Sequence, residues 1–267
     1  MSALQLGSHV LAIGGVTHVM AVINLSPESK NTSSIAASPG DALERACCYR
    51  DLGASIIDLG GQSSHYDNPT IATEEELARL LPAVELLAAN GLVVSVDTWK
   101  PEVAAACVAA GAALVNDTGG LADPAMRAAV AAGGVGAIVM YVEGANPHDV
   151  GEISISDRKA EVTADWMTNR LAQLAAEGIG HTILDPGIAI NYRGDYQAYT
   201  RMQLDVIRNL DAIQLLGRPV LVPIPRKQED HRVAAYISMA LEYGADLIRV
   251  HDVEMACDLA ALYGRLG

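Results

Sequence analysis

The apolar positions of this chain repeat one theme from end to end: a short β-branched run, then a longer Ala- and Leu-rich stretch with helical spacing. The runs are HVMAVINL (18–25), SIIDLGG (55–61), LVVSVDT (92–98), ALVNDT (113–118), AIVMYVE (137–143), TILDPGI (182–188), PVLVPIP (219–225) and DLIRVHD (246–252). They show little polar alternation, the pattern of strands buried on both faces and therefore of parallel strands joined by crossover helices. Between them lie amphipathic stretches such as EEELARLLPAVELLAANG and KAEVTADWMTNRLAQLAAEG, many reaching a Gly just before the next run, the usual helix stop. Eight strand–helix units within about 250 residues predict a closed (β/α)8 TIM barrel. An open doubly wound sheet would place a Gly-rich phosphate turn after the first strand, where this chain has NLSPESKN. The opening LQLGSHVLAIGGVTHVM predicts a small β-hairpin over the N-terminal mouth of the barrel, with the GG pair near its turn. With no linker, repeat or low-complexity tract, residues 1–267 predict a single domain.

Composition adjusts this picture in three ways. Apolar residues make up 51% of the chain, aromatic residues only 4%, and Phe is absent. The core must then be built from Ala, Val, Ile and Leu. No apolar run reaches the roughly 18 residues of a membrane span, and MSALQLGSHV lacks the basic start and apolar core of a signal peptide, so the cytoplasm is expected. The net charge of -14 argues against a nucleic-acid partner, which needs clustered Lys and Arg, but a few cations focused in a cleft can still hold a small anion. Cys47, Cys48, Cys107 and Cys257 form no C-x-x-C pair and read as reduced thiols.

In a barrel, the C-terminal ends of the strands converge on one face, where catalytic loops sit. Nearly every predicted strand ends in polar residues: Asn24; Gln62 with Ser63 and Ser64; Asp97; Asn116 with Asp117; Asp185; Arg226 with Lys227; Arg249 with His251. Each has a structural alternative, since Asp97 or Asp117 could cap the following helix and Asp185 before Pro186 could shape a turn. Asp97, Asn116 and Asp185 offer an acceptor-rich set suited to a ligand with several N–H donors. Lys227, Arg249 and His251 suit phosphate or developing negative charge, and barrel closure brings them beside Asn24. From residues alone, the expectation is a transferase or lyase acting on a nitrogen-rich heterocycle that bears phosphate.

In this order, VINLSP, GASIIDLGGQSS, VSVDTWKPEVA, VNDTGGL, LDPGI, PRK and IRVHDV resemble the dihydropteroate synthase family over about residues 18 to 253. The resemblance implies a barrel that binds 6-hydroxymethyl-7,8-dihydropterin diphosphate, from which magnesium pyrophosphate leaves as p-aminobenzoate attacks the methylene carbon. By motif it assigns Asp97, Asn116 and Asp185 to the pterin edge and Lys227 to a pterin contact, with Asp97, Asp185 and Lys227 also in the catalytic set. Arg249 and His251 become pyrophosphate anchors and Asn24 a ligand on the Mg2+ side. Ser63, Ser64 and Met140 complete the expected substrate-binding residues. The resemblance also implies a homodimer.

The chain departs from the family pattern in its loops. Where the family's first loop reads D-S-F-S-D-G-G, this chain has Glu28, Ser29, Lys30, Asn31, Thr32, Ser33 and Ser34. G-G-E-S-T-R-P becomes GGQSSHY, the residues after DPGI become Ala189, Ile190, Asn191 and Tyr192, and G-x-S-R-K becomes Pro223 to Lys227. These changes fall where aminobenzoate would sit; its aromatic clamp is missing, and Ala189 and Pro223 are expected to tighten the pterin slot. Alternatives left open are a pterin-binding paralogue with another nucleophile, a methyltetrahydrofolate-dependent methyltransferase, and a scaffold with a degenerate site. His148 and His231 read as surface residues, Trp99 as rim packing, and Lys30 as either a solvated loop charge or a contact to an acidic second substrate.

Overall fold

The computed structural model describes residues 2–29, 32–65, 67–225 and 229–267. A two-stranded hairpin, β1 (Ser2–Leu6) and β2 (His9–Ile13), precedes eight strands: β3 (His18–Asn24), β4 (Ala54–Gly60), β5 (Val94–Asp97), β6 (Leu114–Asp117), β7 (Gly136–Met140), β8 (Thr182–Asp185), β9 (Leu221–Pro223) and β10 (Leu247–Val250). All eight run parallel in the order β8-β7-β6-β5-β4-β3-β10-β9. A parallel bridge between Leu184 and Val220 joins the two ends of that order, so the sheet closes as a (β/α)8 barrel. The covering helices are α1 (Pro39–Leu52), α2 (Thr73–Ala89), α3 (Pro101–Ala109), α4 (Pro124–Gly133), α5 (Lys159–Ala176), α6 (Tyr196–Arg208) with the short α7 (Asp211–Gln214), α8 (Asp230–Glu242) and α9 (Val253–Leu262). Each predicted strand is present; six lie within their expected runs, and β4 and β7 begin one residue earlier, at Ala54 and Gly136.

Local signals in the sequence fix these elements. Helix α1 starts where Ser38 Oγ accepts from the Asp41 N–H with Pro39 in the first turn, and stops at Gly53, whose φ of 116° is left-handed; both are standard helix punctuation. Odd-numbered residues of β3 (Val19, Ala21, Ile23) pack outward against the helices, while Met20 belongs to a second cluster inside the barrel. The same alternation points Asn24, Asp58, Asp97, Asn116, Asp185 and Arg249 inward. Leu4, Leu6 and Ile13 of the hairpin share the inner cluster with Leu114, Leu221 and Leu247 at the starts of their strands, so the hairpin seals the N-terminal mouth as expected. Its turn, however, is Gly7–Ser8. Gly14 and Gly15, both at positive φ, instead link the hairpin to β3. Among the described residues, no helix is long and apolar enough to cross a membrane, and the four cysteines are free.

Candidate active site

The inward alternation puts a row of polar side chains at the C-terminal mouth. Across β3, β4, β5 and β6, Asn24, Gly60, Asp97 and Asn116 are consecutive register partners, and Met140 is the partner of Asp185 between β7 and β8. A narrow inner cavity of about 40 Å3 is lined by Ser64, Asp97, Asn116, Met140, Asp185 and Arg249, with Ala189 and Pro223 on its walls. It opens into an outer cavity of about 330 Å3 that shares Ser64, Asp97, Ala189 and Arg249 and adds Asn24, Ser63 and His251. The structure thus brings the three expected acceptors together, and brings Asn24, Arg249 and His251 to the same mouth. Ala189 and Pro223 line the slot they were expected to tighten. Lys227, Arg226 and Lys30 lie outside the described residues.

Arg249 is placed differently from the free cationic corner that the sequence suggested. Its Nε donates to Asp58 Oδ2 at 2.6 Å and its Nη2 to Asp97 Oδ2 at 2.6 Å, so the guanidinium is clamped across the acceptor floor. Burial works against the charge of Arg249, but Asp58 and Asp97 outweigh it and hold the group firmly protonated. Asp58, fully buried, was not singled out from sequence. It also accepts from Asn116 Nδ2 at 3.1 Å. That bond uses one of the two N–H donors of the Asn116 amide and fixes its orientation, leaving its carbonyl oxygen and second N–H for a ligand.

Burial raises the two remaining acids. The Asp97 carboxyl is pushed up to about 7, with desolvation outweighing the attraction of Arg249 and with Asp58 and Glu76 adding repulsion. Asp185 is likewise raised to about 7, although the Gly187 N–H and Arg249 pull it down. The Gly187 N–H donates to Asp185 Oδ1 at 2.7 Å. That turn admits only glycine: its φ is +69°, and a Cβ would lie 1.9 Å from the Tyr141 carbonyl oxygen. Asp117, by contrast, is structural. It accepts from the Gly119 and Leu121 N–H groups at 2.7 and 2.8 Å, and burial lifts it to about 6 despite them.

The rim is knit from loops. Glu28 pairs with Arg79 at 3.0 Å, and Arg79 also reaches the Gly61 carbonyl, tying the first loop to the second. Gln62 Oε1 accepts from Lys100 Nζ at 2.9 Å while Lys100 pairs with the buried Glu76 at 2.8 Å. His148, expected at the surface, is half-buried: its ring bonds the Ser63 carbonyl and the Thr70 hydroxyl, each at 2.9 Å, and packs on Trp99 with ring centroids 5.0 Å apart. His231 is exposed, as expected. Phe is absent from the chain, but aromatic surface is not absent from the outer cavity. Tyr192, Tyr196 and Tyr199 line it, the first and last meeting edge to face at 5.8 Å. The signal was in NYRGDYQAY, which places tyrosines at the start of α6 and just before it.

The profile of the family described as "Pterin binding enzyme" matches residues 20–251. The dihydropteroate synthase of Bacillus subtilis is 31% identical over 261 residues, covering 92% of this chain and 87% of that protein. The chain belongs to the dihydropteroate synthase family. It is an enzyme of that transferase class. The crystal structure of dihydropteroate synthase from Thermus thermophilus in complex with 4-aminobenzoate is 31% identical, superposes with a TM-score of 0.80 and is matched over 100% of both chains. A longer relative, the probable bifunctional folylpolyglutamate synthase/dihydropteroate synthase of Haloferax volcanii, is 32% identical over 89% of this chain, which spans 29% of that protein.

Proposed function

We propose that this chain joins 6-hydroxymethyl-7,8-dihydropterin diphosphate to p-aminobenzoate and releases pyrophosphate, with the heterocycle seated on Asp97, Asn116 and Asp185. The observation that carries this reading is the convergence of those three acceptors on one inner cavity, beside a mouth holding Asn24, Arg249 and His251. A carboxylate at Asp185 suits paired N–H donors on a flat ring edge, because charge-assisted bonds of that kind are strong and directional. As the C–O bond to the diphosphate breaks, negative charge grows on the leaving group and positive charge on the methylene. Arg249 and His251 stabilise the former, and the buried carboxylates the latter, as preorganised groups in a dry site do. Lys227 joins the donor contacts by motif. Met140, Ser63 and Ser64 shape the walls.

The family works with a divalent cation, and we assign magnesium. Among the described residues no group of three His, Cys, Asp or Glu side chains is arranged to hold a metal. That donor set fits an ion carried mainly by diphosphate oxygens and water, with Asn24 as a single protein oxygen, the habit of Mg2+. When bound, such an ion shields the diphosphate and favours its departure. The outer cavity with Tyr192, Tyr196 and His65 receives the arylamine. Family resemblance favours a homodimer, which light scattering checks. A coupled pyrophosphate-release assay with both substrates and Mg2+ tests the reaction. Turnover supports it; pterin binding without turnover favours another nucleophile; absence of both rejects it.

A further inference from the structure

Where the family pattern has an acid after the paired glycines of the second loop, this chain has Gln62. The residue is buried, 6% exposed, and borders the outer cavity together with Asn24, Ser63 and His65. The two ends of its amide are in different situations. Oε1 accepts from Lys100 Nζ at 2.9 Å and from the Ile71 N–H at 3.2 Å. Nε2 is buried and has no hydrogen-bond partner among the described residues.

Chemistry fixes which end is which. The Lys100 ammonium and the Ile71 N–H can only donate, so an amide turned over would set its N–H2 against two donors. Lys100 is itself fully used: its three hydrogens go to Gln62, to the Ile71 carbonyl at 2.6 Å and to Glu76 at 2.8 Å. Glu76 also balances its charge. What this corner has to spare is the pair of hydrogens on Gln62 Nε2. A buried donor without a partner is costly to the fold, and the open space that Gln62 borders is the outer cavity. A donor held there suits an anionic oxygen, because hydrogen bonds to charged acceptors are the stronger ones. An acid at this position would keep the Lys100 and Ile71 bonds with one oxygen and set the other, negatively charged, where the N–H2 now stands.

We infer that Gln62 is a specificity-determining residue whose Nε2 donates to an anionic oxygen of a substrate in the outer cavity, on the donor's diphosphate or on the carboxylate of the second substrate. The inference rests on the reading that this cavity holds those groups. Two substitutions in the full chain test it. Gln62→Glu keeps an oxygen for Lys100 and Ile71 and replaces the donor by a negative charge. Gln62→Met removes the donor without adding charge. Three values are compared with wild type, all with Mg2+: the Kd of 6-hydroxymethyl-7,8-dihydropterin, the Kd of its diphosphate, and the KM for p-aminobenzoate in pyrophosphate release. The diphosphate Kd or the aminobenzoate KM should rise about tenfold in Gln62→Met, the worth of a bond to a charged group, and about a hundredfold in Gln62→Glu. The Kd of the uncharged pterin should not move, and the anionic value that rises identifies the oxygen. If Gln62→Glu does not fold, the same split in Gln62→Met decides. Both anionic values unchanged, or a Kd for the uncharged pterin that rises with them, overturns the inference. Wild type binding neither pterin probe would remove the parent reading and this one together, whereas wild-type binding and turnover that both substitutions leave intact remove this one alone.

Discussion

The inner and outer halves of the cavity are held by different means. Asp58, Asp97, Asn116, Asp185 and Arg249 stand on strands whose register is locked by eight-fold pairing, and three of them meet at a single oxygen, Asp58 Oδ2. Gln62, Ser63, His65, Tyr192 and Tyr196 stand on loops or at a helix start, held by bonds such as Asn68 Nδ2 to Ser63 Oγ at 2.6 Å and the Glu143 N–H to the Tyr192 hydroxyl at 2.9 Å. The floor accepts few substitutions, because Asp58, Asp97, Asn116 and Arg249 are one another's partners and Asp185 is held by the Gly187 N–H. The rim can change side chains while its backbone keeps its course, and there this chain departs from its family. A donor site and an acceptor site can thus evolve at different rates within one cavity.

The contrast can be broken most forcefully at Asp58. Asp58→Asn removes the charge that faces Arg249 in the barrel interior and should cost about 3 kcal/mol of unfolding free energy, measured by urea denaturation. A loss under about 1 kcal/mol, the worth of an exposed pair, would mean the floor is not interlocked. Next, Asp185→Asn should weaken donor binding by about 2 kcal/mol, roughly thirtyfold, because an amide at this position cannot accept from two N–H groups at once; titration with the pterin diphosphate checks it.

The same substitution has an opposite effect on the unliganded fold. Asp97, Asp117 and Asp185 are all raised above the ordinary carboxylate range, to about 7, 6 and 7. A group raised in the folded state contributes stability that is present at low pH and lost as pH climbs from the ordinary carboxylate range through the raised value. The unliganded protein should therefore gain from these groups as pH falls from 8 towards 5. Asp185→Asn should raise Tm at pH 8 by about 2–4 °C, corresponding to about 1 kcal/mol, and shrink the difference between pH 8 and 5.5. Thermal scans at both values decide it. The smallest effect is expected on the rim. Tyr196→Ala should raise the KM for p-aminobenzoate several-fold, within about 1 kcal/mol, and leave the pterin KM unchanged; equal changes in both would erase the division between the halves.

The barrel and most of its floor were legible because β-branched runs and their polar ends report burial and strand direction together. Asn24, Asp97, Asn116, Asp185 and His251 needed only the rule that strand ends converge. Asp58 was harder, as a lone acid inside SIIDLGG. The available signal was physical: a carboxylate on a strand buried from both faces must have a partner, and Arg249 was the cation at a strand end. What sequence could not supply was which acids meet it, since they lie 191 and 152 residues away along the chain. The rim differs from expectation at His148, which is half-buried against Ser63 and Trp99, and in its aromatic surface. The absence of Phe suggests an absence of aromatic surface, yet Tyr192, Tyr196 and Tyr199 follow closely on Asn191 and supply it. The hairpin turn differs because GG outweighs GS as a turn signal, and only the pairing of Leu6 with His9 decides between them.

The most direct test of the central claim is a crystal structure of the chain with 6-hydroxymethyl-7,8-dihydropterin diphosphate and Mg2+. The ring edge should lie within hydrogen-bond distance of Asp97, Asn116 and Asp185, with the diphosphate at Asn24 and His251. A pterin bound with its ring outside the barrel mouth, or inside it but touching none of those three residues, would contradict the assignment.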